Sequence, residues 1–174
     1  AQQAAGALVA RGIKALVVAC NTASATALPT LARELAPLPV FGVVKPGAMA
    51  AGAVADGSGV TVLATESTIA GGAYQRALLS QRFGMRVVGR PCPLWVTLAE
   101  QGGSTGELAD AILLDGVRGL VRSNEAPNAS STLLLGCTHF PVFRSRLQQL
   151  LGAQVQVIDS AQTTASAVSK ALHW

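Results

Sequence analysis

Leu16-Val17-Val18-Ala19-Cys20-Asn21-Thr22-Ala23-Ser24 is an apolar run that ends abruptly in a thiol, an amide and a hydroxyl. Leu133-Leu134-Leu135-Gly136-Cys137-Thr138-His139-Phe140-Pro141 repeats the pattern in altered form. In both places a strand-like segment delivers a cysteine to its carboxyl end and a helix-like segment begins. A parallel α/β sheet is built from such units, and its ligands bind outside the carboxyl ends of the strands.

The rest of the chain agrees with that reading. Its 174 residues suffice for one full domain or two small ones. Half of the residues are hydrophobic and 13% are charged, which excludes a disordered chain and favours buried parallel sheet. No apolar run reaches the roughly 18 residues that span a bilayer. Ala1-Gln2-Gln3-Ala4-Ala5 carries no basic region ahead of an apolar one, so no signal peptide is expected. The expectation is a soluble cytoplasmic protein without a membrane partner. The net charge of +4 is spread singly from Arg11 to Lys170, and aromatics are 4%, so nucleic acid is not an expected partner either. Three cysteines without close pairs argue against a disulfide framework and a zinc knuckle, leaving single thiols.

Taken in order, the chain begins within a helix over 2–11, and Gly12 ends it before a strand over 13–19. Helical spacing over 22–35 puts Leu28, Leu31, Ala32 and Leu35 on one face, closed by Pro37 and Pro39. A strand follows over 40–44, then a turn at Lys45-Pro46-Gly47, a helix over 48–55 and a loop at Asp56-Gly57-Ser58-Gly59. The strand 60–64 ends in Thr65-Glu66-Ser67-Thr68, suited to capping a helix over 69–83 with Tyr74, Leu78 and Leu79 facing the core. Further strands are expected at 85–89 and 155–158. Helices are expected at 94–100, 107–121 with Leu108, Ile112, Leu113 and Leu120 as its stripe, 141–151 and 163–172. The spacing from cysteine to the next strand is nearly the same in both halves, which points to two similar lobes, each contributing one cysteine.

A cysteine at a strand end before a helix feels unpaired amides and the helix dipole, which favour thiolate. A modest downward shift from about 8.5 makes it a usable base near neutral pH. Two such thiols on opposite faces of a ligand suit inversion of a stereocentre, one removing a proton and the other donating one. Asn21, Thr22 and Thr138 are neutral donors that would hold carboxylates of an amino acid, besides capping helices. His139 is placed to adjust the Cys137 thiol, and Glu100 to orient that histidine. Thr65 and Thr68 divide evenly between capping and ligand contact. Cys92, between two prolines, reads as a core thiol and His173 as incidental.

At these residues the chain resembles the glutamate racemases of the cofactor-independent aspartate/glutamate racemase superfamily. The carrying segments are Ala19-Cys20-Asn21-Thr22-Ala23-Ser24 and Leu135-Gly136-Cys137-Thr138-His139-Phe140-Pro141. Supporting matches are Ala64-Thr65-Glu66-Ser67-Thr68-Ile69, Cys92-Pro93-Leu94-Trp95-Val96 with Glu100, and Val157-Ile158-Asp159-Ser160. Aspartate racemases resemble Cys-Asn-Thr-Ala-His at the first site and Gly-Cys-Thr-Glu at the second. Ser24 and His139-Phe140-Pro141 favour glutamate.

The resemblance implies an α/β fold of two pseudo-symmetric parallel-sheet domains with the active site at their interface. Residues 1–43 would form the first domain and 44–161 the second, with 162–174 returning to the first. It implies interconversion of L- and D-glutamate for peptidoglycan, with no cofactor and no metal. Cys20, Cys137, His139 and Glu100 would be catalytic; Asn21, Thr22, Thr138, His139, Thr65 and Thr68 would bind substrate. The expected partner is glutamate, with a homodimer allowed. Family members open with a strand ending in Asp-Ser and a Pro-Tyr-Gly segment that nothing here matches, since Asp159-Ser160 lies near the end. The expectation is therefore an N-terminally truncated, impaired chain whose Leu16 and Val17 lack a strand partner. Other readings are an aspartate racemase, a hydantoin racemase-like or maleate isomerase-like enzyme, or a ligand-binding relative without activity.

Overall fold

Strand and helix alternate along the described chain, residues 1–172 of a computed structural model. His173 and the last residue of the expected returning segment lie outside the described residues. Strands β1 (Leu16–Val18) and β2 (Val40–Gly42) form a small parallel pair. Strands β3 (Val60–Ala64), β4 (Val87–Pro91), β5 (Thr132–Leu135) and β6 (Gln156–Asp159) form a second parallel sheet in the order β4-β3-β5-β6. This is the α/β class expected from the alternation.

β3 and β5 are buried from end to end, because helices cover both sheet faces. Successive residues of β5 therefore feed two different cores. Leu133 and Leu135 pack with Trp95, Leu113, Phe140, Phe143 and Leu147 on one face. Leu134 packs with Val60, Val62, Tyr74 and Leu78 on the other. Trp95 meets Phe140 and Phe143 edge-on at centroid separations of 5.2 and 5.7 Å, each worth about 0.5–1.5 kcal/mol beyond burial. These rings fix helix α6 (Pro93–Glu100) against the 3-10 turn Phe140–Phe143.

The remaining helices are α1 (Gln2–Val9), α2 (Asn21–Glu34), α3 (Val44–Val54), α4 (Glu66–Ala70), α5 (Ala73–Leu79), α7 (Glu107–Val117), α8 (Arg144–Leu151) and α9 (Ser160–Ala171). None of the described helices is long and apolar enough to cross a membrane. Several expectations need correction. Lys45-Pro46-Gly47 is the first turn of α3, where the missing N–H of Pro46 costs nothing. The single helix expected over 69–83 is two, α4 and α5, broken at Gly72 with a left-handed φ of +64°. Leu79, next to buried Leu78 on α5, and Leu108, expected on the stripe of α7, are exposed. Leu16, expected to lack a partner, is buried against Ala5 and Leu31, whereas Val17 is 41% exposed.

Gly136, between β5 and Cys137, is required by packing. A Cβ there would stand 2.8 Å from Tyr74 Cε2 and 3.2 Å from the Leu63 carbonyl oxygen. Gly136→Ala is expected to cost about 1–3 kcal/mol in urea unfolding. Gly6→Ala meets nothing within 4 Å in α1 and should stabilise by about 0.5–1 kcal/mol. Equal midpoints for the two variants would contradict this packing.

Candidate active site

The sheet register decides where the polar residues emerge. Leu63 pairs with Leu135, and Leu135 with Asp159, so Thr65, Cys137 and Ser160 all follow the last paired row of their strands. Cys20 follows β1 and is the N-cap of α2, with extended backbone (φ −74°, ψ 125°) and no capping bond from its side chain. Its thiol is exposed. Ser24 fixes this corner: its hydroxyl donates to the Val18 carbonyl at 2.7 Å and accepts from the Val43 N–H at 3.0 Å.

Cys137 is buried. Its Sγ lies 3.6 Å from His139 Nδ1, and His139 Nε2 lies 3.1 Å from Glu100 Oε1. With Glu100 accepting the Nε2 proton, Nδ1 is left as the acceptor that faces the thiol. The path Glu100–His139–Cys137 can therefore take the thiol proton onto the imidazole and stabilise the resulting cation. The aromatic contacts between α6 and the 3-10 turn hold its two ends together.

Burial pushes the Cys137 thiol up from its ordinary value. The backbone N–H of His139 opposes this, Cys20 charge nearby adds to it, and the N–H of Thr138 opposes it. The direction is opposite to the lowered value expected from a strand end before a helix. The element after Cys137 is a short 3-10 turn rather than an α-helix, so its dipole is weak against the desolvation of a buried thiolate. Cys92 is a core thiol, as expected, and burial raises it to about 11.

Asn21 joins the units. Its Nδ2 donates to Tyr74 Oη at 2.6 Å and to Ser160 Oγ at 3.2 Å, all three side chains being buried. Both amide N–H groups are thus committed within the protein, and Oδ1 is left buried with no partner. In this structure Asn21 is not the free donor expected from the sequence. Thr22, Thr65 and Thr68 form a ring of hydroxyls, 3.0 Å from Thr22 to Thr65 and 2.9 Å along the other two sides. Thr65 also caps α4 by accepting from the Thr68 N–H at 3.4 Å. These threonines come together across the two sheets, so each is more than a cap.

Thr138 is exposed and lines a cavity of about 350 Å³ together with Ala19, Val17, Val43, Ser160 and Thr164. Ala19 and Thr138 are the sequence neighbours of Cys20 and Cys137, but neither cysteine is on the cavity wall. A cavity of about 420 Å³ at Arg90, Leu94 and Asp115 lies on the outer side of α6 and α7 and has none of the predicted site residues on its walls. Among the described residues no three His, Cys, Asp or Glu side chains come together to hold a metal ion. Sequence reasoning missed Tyr74 and Ser160. The signal for Ser160 was its place directly after a strand end, one residue past the row that pairs Leu135 with Asp159.

Thiols at the ends of parallel strands, one with a carboxylate-oriented histidine, are groups that can take up and release protons. The chain belongs to the Asp/Glu/Hydantoin racemase family, whose model matches residues 1–168. It is 41% identical over 163 residues to the glutamate racemase of Lysinibacillus sphaericus strain C3-41, covering 94% of this chain and 59% of that one. The crystal structure of the Thermus thermophilus glutamate racemase with beta-chloro-D-alanine superposes with a TM-score of 0.82 at 36% identity, over 99% of this chain and 60% of that one. The Francisella tularensis glutamate racemase with D-glutamate gives 0.81 at 25% identity, over 95% and 59%. The chain thus spans about 60% of the length of the curated relatives it matches.

Exposure sets a reactivity order for the three thiols. Ellman's reagent at neutral pH should titrate one thiol per chain quickly, and Cys20→Ser should remove it; Cys92 and Cys137 should follow only on unfolding. Cys92 also carries a pH signature: its folded value is raised, so stability is full below the ordinary thiol range and falls as pH climbs through about 11. Fast labelling of Cys92 in the folded chain would contradict both statements.

Proposed function

We propose that the protein containing this chain is a glutamate racemase that uses Cys20 and Cys137 as a pair of acid and base. The observation that carries the reading is the Glu100–His139–Cys137 path, with Cys20 close enough for its charge to act on the Cys137 thiol. One thiolate takes the Cα proton of glutamate, leaving a carbanion stabilised by the adjacent carboxylate. The opposite thiol gives its proton to the other face, so one thiol is regenerated as the other becomes thiolate. Run backwards, the same steps return the first enantiomer, and no redox or group transfer is involved. A raised Cys137 value suits a thiol that rests protonated and acts as the acid when the Cys20 side abstracts.

The substrate reading is supported by the glutamate racemases to which the chain is similar, one of them crystallised with D-glutamate. Thr22, Thr65, Thr68 and Thr138 are the neutral groups for binding it, and Asn21 and His139 border the same site. The site lies between two lobes, 1–43 and 44–161, with the described part of 162–174 closing on them. The reaction would supply D-glutamate to peptidoglycan in the cytoplasm and would use neither pyridoxal phosphate nor a metal.

The test uses the protein expressed with the sequence that flanks these 174 residues in its reading frame. L-Glutamate in D₂O should give D-glutamate carrying deuterium at Cα, with no added cofactor. The Cys20→Ser, Cys137→Ser double variant should lose at least about 10³-fold in rate. Full turnover by that variant would remove the two-thiol mechanism, and faster processing of aspartate than of glutamate would overturn the substrate assignment.

A further inference from the structure

Tyr74 touches both cysteine loops. It is fully buried, and it is the single tyrosine of the chain. Its hydroxyl accepts from Asn21, the residue after Cys20, and interacts with Ser160, the first residue of α9. Its ring lies in a slot between two glycines. A Cβ on Gly47 would come within 3.5 Å of Cε1, and one on Gly136 within 2.8 Å of Cε2. Gly136 is the residue before Cys137. The hydroxyl therefore holds one cysteine loop while the ring packs against the other.

We propose that Tyr74 is a positioning residue, a rigid spacer that sets the distance and orientation between the Cys20 and Cys137 loops. A tyrosine suits this better than an aliphatic residue. The ring is flat enough for a slot whose walls lack side chains, and it has only two side-chain torsions to order. The hydroxyl at its far end meets an amide and a serine hydroxyl that are both buried, where a hydrogen bond is costly to break. Desolvation also keeps the phenol protonated, so the hydroxyl stays neutral through the working pH range and adds no charge beside the thiols. Ser160 completes the post by accepting the second Asn21 N–H, and it links the pair to the end of β6.

The inference rests on the reading of Cys20 and Cys137 as the reacting pair, but its test does not need turnover. The chain has three asparagines, Asn21, Asn124 and Asn128, and three cysteines, so selective isotope labelling resolves each of them by NMR. In the unaltered chain the side-chain NH₂ of Asn21 should exchange with solvent at least about tenfold more slowly than those of Asn124 and Asn128. Tyr74→Phe keeps the ring and removes the hydroxyl. It should speed Asn21 side-chain exchange about tenfold while leaving the Cys137 Cβ signal in place. Tyr74→Leu also empties the slot beside Gly136 and should move the Cys137 signal as well, with Cys92 unmoved. Leu78→Val, on the same helix and in the same core, should lower stability without changing either signal.

Should Tyr74→Leu fail to fold, Tyr74→Phe and Ser160→Ala decide the matter through Asn21 exchange alone. Unchanged Asn21 exchange in folded Tyr74→Phe would overturn the proposal, as would the same pattern of shifts in Leu78→Val. The expected pattern in a protein that does not racemise glutamate would support the spacer and remove the catalytic reading on which its purpose rests.

Discussion

Parallel, in-register pairing of β3, β4, β5 and β6 is the constraint on which the site depends. Leu63 aligns with Arg90 and Leu135, and Leu135 with Asp159, so four strands end at one level. Whatever follows that row is delivered to the same rim of the sheet. Here the row is followed by Thr65, Cys92, Cys137 and Ser160. Thr65 and Ser160 bond to Thr22 and Asn21, while Cys92 and Cys137 belong to the core that holds Trp95. A one-residue slip of β5 would exchange the faces of Leu133, Leu134 and Leu135 and withdraw His139 from Glu100.

The small β1–β2 pair has far less to hold it. Its strands have three residues each, and its own core is Ala5, Leu16 and Leu31 with partly buried neighbours. Its attachment to the larger sheet includes the Asn21 amide and the hydroxyl ring of Thr22, Thr65 and Thr68, beside the apolar packing of Ala25 on the core of Val60, Val62 and Tyr74. Each neutral hydrogen bond contributes about 0.5–1.5 kcal/mol net. Together these bonds hold the two cysteine loops in place. The unpaired Asn21 Oδ1 fits the same picture, a buried group left without a partner at the junction.

Much of this was legible in the sequence because strand ends carry their own punctuation. Val60–Ala64 matches its expected bounds, set off by Asp56-Gly57-Ser58-Gly59 on one side and Thr65 on the other. The pairing of His139 with both Cys137 and Glu100 follows from motifs that adjoin an apolar strand and end a helix. What was not legible depends on tertiary surroundings. Pro46 reads as a turn unless it is known to sit in the first turn of a helix. The break at Gly71-Gly72 is hidden because apolar spacing continues on both sides of it. The bonds of Asn21 to Tyr74 and Ser160 join residues 53 and 139 positions apart, and no local pattern announces them. The upward shift of Cys137 arises from burial by neighbours that only folding brings near.

The proposed racemisation turns on two thiols that share one substrate carbon. The most direct measurement is a crystal structure of the reading-frame protein with bound glutamate. The account predicts that Cα lies between Cys20 Sγ and Cys137 Sγ, one on each face and both in contact with it, with His139 still joined to Glu100. A ligand whose Cα meets only one of these sulfurs, with the other turned away or shielded, would contradict it.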